Sequence, residues 1–219
     1  SFDTAAIYGN EATVGRVLEE SEVPREELFI TTKVWNSDQG YRRCRDAFEK
    51  SREKLRTEEI DLYLIHWPVA ETFADTWRAM EELYAEGAVR AIGVCNFKSE
   101  HLEILRSECS VVPAINQVEL HPYLIKEELR AYCRDHGIAV EAWGPLMRGA
   151  VTEDPTLRRI AEAHGKSPAQ IVLRWDLQHD LVTIPKSATP SRIRENAGIF
   201  DFSLSEQEME QIDGLERNQ

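Results

Sequence analysis

Short β-rich apolar runs alternate with longer, charge-flecked amphipathic stretches from one end of the chain to the other. The runs at 2–3, 28–33, 60–66, 90–95, 113–118, 138–143 and 181–185 predict strands. The stretches near 11–21, 41–56, 72–86, 99–108, 126–136, 156–165, 168–179 and 190–197 predict helices. A last helix starts at Ser205, where Ser205-x-x-Glu208 makes a capping box. Alternating strands and helices predict a parallel sheet covered by helices, and the nearly all-apolar strands suit burial on both faces. The expected fold is therefore α/β, a (β/α)8 TIM barrel lacking its first βα unit, since seven strands are one short of closure. An open doubly wound sheet would need a Gly-rich turn after an early strand, and no GxGxxG occurs. One barrel domain over 1–219 is expected, short at its N-terminus and in the loop after its last helix. A barrel short of a strand exposes two unpaired edges, so poor solubility or activity is expected of this length by itself.

Composition narrows the function. With 42% hydrophobic residues in 219, the chain can bury one sizeable core. Its 39 acidic against 26 basic residues leave a net charge of −13, which repels nucleic acid and anionic membranes and argues against both as partners. No apolar stretch approaches the roughly 20 residues of a membrane span, and none reads as a signal peptide. A cytoplasmic monomer acting on a small molecule is expected. Cys44, Cys95, Cys109 and Cys133 are irregularly spaced without a CxxC pair, which predicts free thiols. No HExxH spacing occurs, and the lone pair Glu119 and His121 is ordinary structural sequence, so no metal site is expected.

Four polar residues suit acid–base chemistry. Asp3 and Tyr8 lie in SFDTAAIYGNE, Lys33 closes the apolar run LFITTK, and His66 closes IDLYLIH. In a parallel barrel such strand ends gather on the face where active sites form. A phenol of pKa ~10 gives up a proton to a carbonyl only if a cation eases the loss. Lys33 would be that cation, Asp3 would hold it, and His66 would orient the substrate oxygen. A Schiff-base lyase built on Lys33 at a strand end is one alternative, and a non-catalytic nucleotide-binding subunit is a second.

A local reversal of charge follows the strand at 181–185. Thr189 is a good N-cap, Pro190 suits the first helical position, and Arg192 falls in the first turn, where cations oppose the helix dipole. Lys186 and Arg194 flank it, and no acid intervenes before Glu195. An anion on the free N–H groups, with Lys and Arg around it, accounts for that pattern better than the alternative of a solvated basic turn, and barrels often bind phosphate after their last strands.

Taken together, DTAAIYGNE (3–11), TTKVW (31–35), DLYLIHWP (61–68), IGVCNF (92–97), INQVELHPY (115–123), EAWGPL (141–146) and IPKS…RIREN (184–196) resemble the aldo-keto reductase superfamily, and most of all bacterial 2,5-diketogluconate reductase-like members. The resemblance covers nearly the whole chain. It implies an NADPH-dependent oxidoreductase that reduces aldehydes or ketones to alcohols, with Tyr8 as proton donor, Lys33 and Asp3 as its tuning pair, and His66 orienting the substrate. It implies Asn96 and Gln117 on the nicotinamide carboxamide, Trp143 stacked on the ring, and Gly144 and Leu146 among the cofactor contacts. Lys186, Ser187 and Arg192 would take the 2′-phosphate, and Glu195 and Asn196 the adenine side. Histidine at 66, where C=C reductases of the family carry glutamate, implies carbonyl reduction. Cys95 and Gly144 stand where the family usually has serine. Trp35, Trp67 and Trp77 suggest an aromatic-lined substrate mouth, with a place in the core the alternative for each; aromatic aldehydes, methylglyoxal-like dicarbonyls and keto-sugars are the candidates.

Overall fold

The computed structural model describes residues 1–217. The chain forms two compact units, Ser1–Asn116 and the residues from Gln117 on. In the first, β1 (Phe2–Asp3), β2 (Ile30–Val34), β3 (Ile60–Ile65) and β4 (Val89–Cys95) lie side by side in chain order and run parallel. Helices α1 (Glu11–Glu19), α2 (Tyr41–Leu55), α3 (Phe73–Ala85) and α4 (Ser99–Glu108) separate or follow them. Every residue of β2 and β3 is buried, which is why β3 reads as a nearly apolar run rather than as alternation, while β2 carries Thr31, Thr32 and Lys33 into the interior. The register Thr32↔Tyr63, Lys33↔Leu64, Val34↔Ile65 brings the C-terminal ends of β2 and β3 level, and His66 N donates to Val34 O at 3.2 Å just past them. Gly15 lets α1 approach the end of α2: a Cβ there would lie 2.2 Å from Lys54 O.

The second unit carries β6 (Ala139–Trp143) paired in parallel with β7 (Val182–Thr183), and β5 (Ile115–Glu119) spans the boundary in sequence. Its helices are α5 (Glu127–Asp135), α6 (Pro155–His164), α7 (Pro168–Gln178), α8 (Pro190–Ala197) and α9 (Glu206–Asp213). Local chemistry starts several of them. Asp154 accepts from the N–H groups of Thr156 and Leu157, and Ser167 with Gln170 and Ser205 with Glu208 form capping boxes. β7 is shorter than the run at 181–185 suggests, because Pro185 has no N–H to continue the ladder. None of the four cysteines is in a disulfide. Among the described residues no helix is long and apolar enough to cross a membrane.

Candidate active site

The first unit assembles the acid–base set. Asp3 ends β1 opposite Thr31 of β2, two residues before Lys33. The Lys33 side chain is fully buried, and its Nζ donates to Asp3 Oδ1 at 2.5 Å and to Thr4 O at 3.0 Å. A buried ammonium costs several kcal/mol unless it is paired and hydrogen-bonded, and these two acceptors supply both. Burial works to lower the Lys33 pKa, but Asp3 and the neighbouring Cys95 and Tyr8 outweigh it and raise the value. Lys33 is therefore a fixed positive charge.

Tyr8 ends a 3-10 turn, Ala6–Tyr8, that closes on Gly9 in the left-handed region at φ 67°. Its ring is about half exposed, and Lys33 Nζ sits 5.4 Å from the ring centroid. Lys33 acts on the phenol as a nearby charge and as a hydrogen-bond partner, which lowers its pKa. Burial is the larger influence, however, and with Asp3 and Cys95 it leaves the phenol above its ordinary value. The cation thus eases proton loss, as expected of it, while burial keeps the phenol above its ordinary value, and Tyr8 stays protonated at neutral pH.

His66 stands edge-on to Tyr8, with ring centroids 5.7 Å apart at 85°, and edge-on to Trp35 at 5.1 Å and 83°. Burial first, then the Lys33 charge, push its pKa down to about 4, with Asp3 opposing. The imidazole is neutral at pH 7, and its buried Nδ1 has no hydrogen-bond partner among the described residues. Asn96 follows β4 with φ 61°, a left-handed conformation that asparagine tolerates, and donates Nδ2 to His66 O at 3.1 Å. Trp67, 43% exposed, is next in the chain, and its carbonyl accepts from buried Gln39 at 2.7 Å. Trp77 takes the core alternative. It is wholly buried in α3 and donates Nε1 to Val111 O, so it is not part of a mouth.

Two contacts escaped the pattern reading. Thr4 Oγ1 donates to Asn10 Oδ1 at 2.6 Å, and Thr32 Oγ1 donates to Glu11 Oε1 at 2.7 Å. They tie the segment on both sides of Tyr8. The only hint in the sequence is an acid placed three residues after the tyrosine.

The second unit holds most of the expected cofactor residues. Gln117 on β5 donates Nε2 to Glu141 Oε2 on β6 at 2.6 Å, both residues being buried. Trp143 ends β6 half-buried, and Gly144 follows at φ 68° with open space where a Cβ would stand. Leu146 is half-buried, and Met147 and Arg148 after it also have positive φ. Ser187 Oγ accepts from Thr189 N at 3.1 Å. Thr189 occupies the N-cap position of α8 and Pro190 the first helical position, but the threonine side chain makes no capping bond. Lys186, Arg192, Arg194 and Glu195 are exposed, whereas Asn196 is buried. No acid lies in the first turn of α8, and among the described residues Lys186, Arg192 and Arg194 enter no ion pair. Exposed cations beside an uncapped helix start fit a phosphate group. At its other end, α8 is held by Gln170, whose Nε2 donates to Glu195 O and Gly198 O at 3.1 and 2.8 Å.

Comparison with known proteins follows the same lines. The aldo/keto reductase family model matches residues 1–217. A glyoxal reductase of Bacillus subtilis (strain 168) is 56% identical over 219 residues, all of this chain and 79% of that protein. The crystal structure of an aldo/keto reductase from Brucella melitensis is 50% identical with a TM-score of 0.94, covering 98% of this chain and 83% of that one. A variant of Gox0644, solved in complex with NADPH, is 44% identical with a TM-score of 0.94 over 98% of this chain and 79% of its own. The α/β fold expected from the sequence, a parallel (β/α)8 barrel of which the described residues supply seven strands, is the fold these structures share with it.

Proposed function

Because the chain belongs to the aldo/keto reductase family and is an NADPH-dependent oxidoreductase, we propose that it reduces an aldehyde or ketone to an alcohol with Tyr8 as the proton donor. When bound, NADPH supplies the hydride for the carbonyl carbon. The residues of the first unit manage the oxygen. Tyr8 O–H donates to it as negative charge builds in the transition state, where an aimed donor lowers the barrier most. Proton transfer leaves a phenolate, and the Lys33 ammonium, fixed by Asp3 and Thr4 O, stabilises that charge. Half-exposed Tyr8 then recovers its proton from water. His66, neutral and packed between Tyr8 and Trp35, gives an N–H to orient the carbonyl oxygen without competing for the proton.

The observation that carries this reading is the gathering of phenol, ammonium and imidazole within one unit, with the ammonium already paired. The same pairing weighs against a Schiff-base role for Lys33, which requires a free amine. For the cofactor, we assign Asn96 and Gln117 to the nicotinamide carboxamide, Trp143 to its ring, and Gly144 and Leu146 to adjoining contacts. Lys186, Ser187 and Arg192 are assigned to the 2′-phosphate, and Glu195 and Asn196 to the adenine side. Trp35 and Trp67 line the approach to His66, and small dicarbonyls such as glyoxal, the substrate in the name of the Bacillus relative, are the substrate class proposed. The test follows NADPH at 340 nm with glyoxal. Tyr8→Phe is expected to lower kcat at least ~10²-fold, as loss of a general acid does, with NADPH binding by fluorescence retained. Near-normal turnover in that variant overturns the assignment.

A further inference from the structure

The loop carrying Tyr8 is closed by side chains to which proton transfer gives no role. Asn10 stands at the N-cap of α1, where an asparagine ordinarily accepts from the first free N–H groups of the helix. It makes no such bond. Its Oδ1 accepts instead from Thr4 Oγ1, so that the residue before the loop is joined to the residue after it. Glu11 is 1% exposed, and a carboxylate so buried is costly unless its oxygens are satisfied. Oε1 takes the Thr32 hydroxyl, while Oε2 has no hydrogen bond and lies 3.6 Å from the Nζ of exposed Lys54.

Thr32 and Lys33 are neighbours on β2, and successive side chains of a strand point to opposite faces. Lys33 takes the Asp3 carboxylate and the Thr4 carbonyl on one face; Thr32 takes Glu11 on the other. A single strand thus grips the Tyr8 loop at both ends, and the Thr4–Asn10 bond closes its neck. An acid held in the interior with one oxygen lacking a hydrogen bond and facing only the Lys54 charge, beside an asparagine diverted from its cap, is poor design for helix stability alone.

We infer that Asn10 and Glu11 are positioning residues for the reduction, holding the Tyr8 hydroxyl against Lys33 through Thr4 and Thr32. The inference rests on Tyr8 as the proton donor. Three variants test it, with Tyr8→Phe measured alongside. Thr32→Val removes the hydroxyl at similar volume, Thr32→Ser retains it, and Asn10→Ala opens the neck at an exposed position without stranding a buried charge. The readouts are kcat, KM for glyoxal, NADPH Kd and the solvent-deuterium isotope effect on kcat. Thr32→Val and Asn10→Ala are expected to lower kcat by roughly ten- to hundredfold, the scale of a misplacement of ~1 Å. The isotope effect should rise as proton transfer slows, NADPH Kd should hold, and Thr32→Ser should restore kcat. If Thr32→Val does not fold, Asn10→Ala decides. Unchanged kcat and isotope effect in these variants, with Tyr8→Phe inactive, overturn the positioning role alone. A parallel loss of NADPH affinity also overturns it, because it marks general structural damage. An active Tyr8→Phe variant overturns the proton-donor reading beneath it.

Discussion

The charges of the two units are held in opposite ways. In the first, the Lys33 ammonium is sealed from solvent and fixed by two acceptors, and the ring of His66 is wedged between two aromatic edges. In the second, Lys186, Arg192 and Arg194 lie exposed on and before a helix start that no side chain caps. The difference follows from the work proposed for each region. Stabilising a transient charge on a reacting oxygen rewards dipoles fixed beforehand, at the cost of burying a charge. Capturing a permanent phosphate needs only accumulated positive potential and free N–H groups, which solvated side chains supply cheaply.

The contrast can be broken most sharply at Lys33. Lys33→Met is expected to cut kcat by about 10²–10⁴-fold and to destabilise the fold toward the lower end of ~3–5 kcal/mol, since Asp3 loses its partner but keeps some contact with water. Thermal melting and turnover check it; an unchanged melting temperature would mean that the buried pair is not a constraint on the fold. The second unit should behave otherwise. Arg192→Ala or Lys186→Ala is expected to weaken NADPH by roughly tenfold, in line with one charge-assisted hydrogen bond, and to leave NADH binding and stability almost untouched. Equal losses for both nucleotides would move the 2′-phosphate elsewhere.

The smallest effect concerns His66. Its folded pKa, about 4, lies below the ordinary value near 6.5. The unfolded chain therefore binds a proton that the native site refuses, and stability is lost as pH falls from ~6.5 towards 4, with no contribution above that window. Activity should show no His66 ionisation between pH 6 and 8. NMR titration of the imidazole, with His66→Gln as control, checks the value; a midpoint near 6.5 would show that the ring is not desolvated.

Much of this was legible in the sequence, for local reasons. β3, buried on both faces and apolar but for Asp61, declared itself as a strand, and capping chemistry is written within four residues, as at Ser205 and Glu208. Lys33 and Asp3 were paired correctly because opposite charges at strand ends have few other partners in an interior. What was missed or left open depends on packing through space. Whether Trp77 lines a mouth or sits in the core stayed open in the sequence, because composition does not say which face of a helix turns inward. Thr189 has the right identity for a cap but makes no capping bond. The Lys33 charge beside Tyr8 is visible in a motif, whereas the desolvation that outweighs it is not. Glu11 and Thr32 meet across 21 positions of sequence, with no pattern to announce the contact.

The most direct measurement is a single turnover in which protein preloaded with NADPH is mixed rapidly with glyoxal and decay is followed at 340 nm, for the native chain and for Tyr8→Phe. The account predicts full cofactor loading in both and a rate constant at least ~10²-fold lower without the phenol hydroxyl. Equal rates would contradict it, because the proton would then come from some group other than Tyr8.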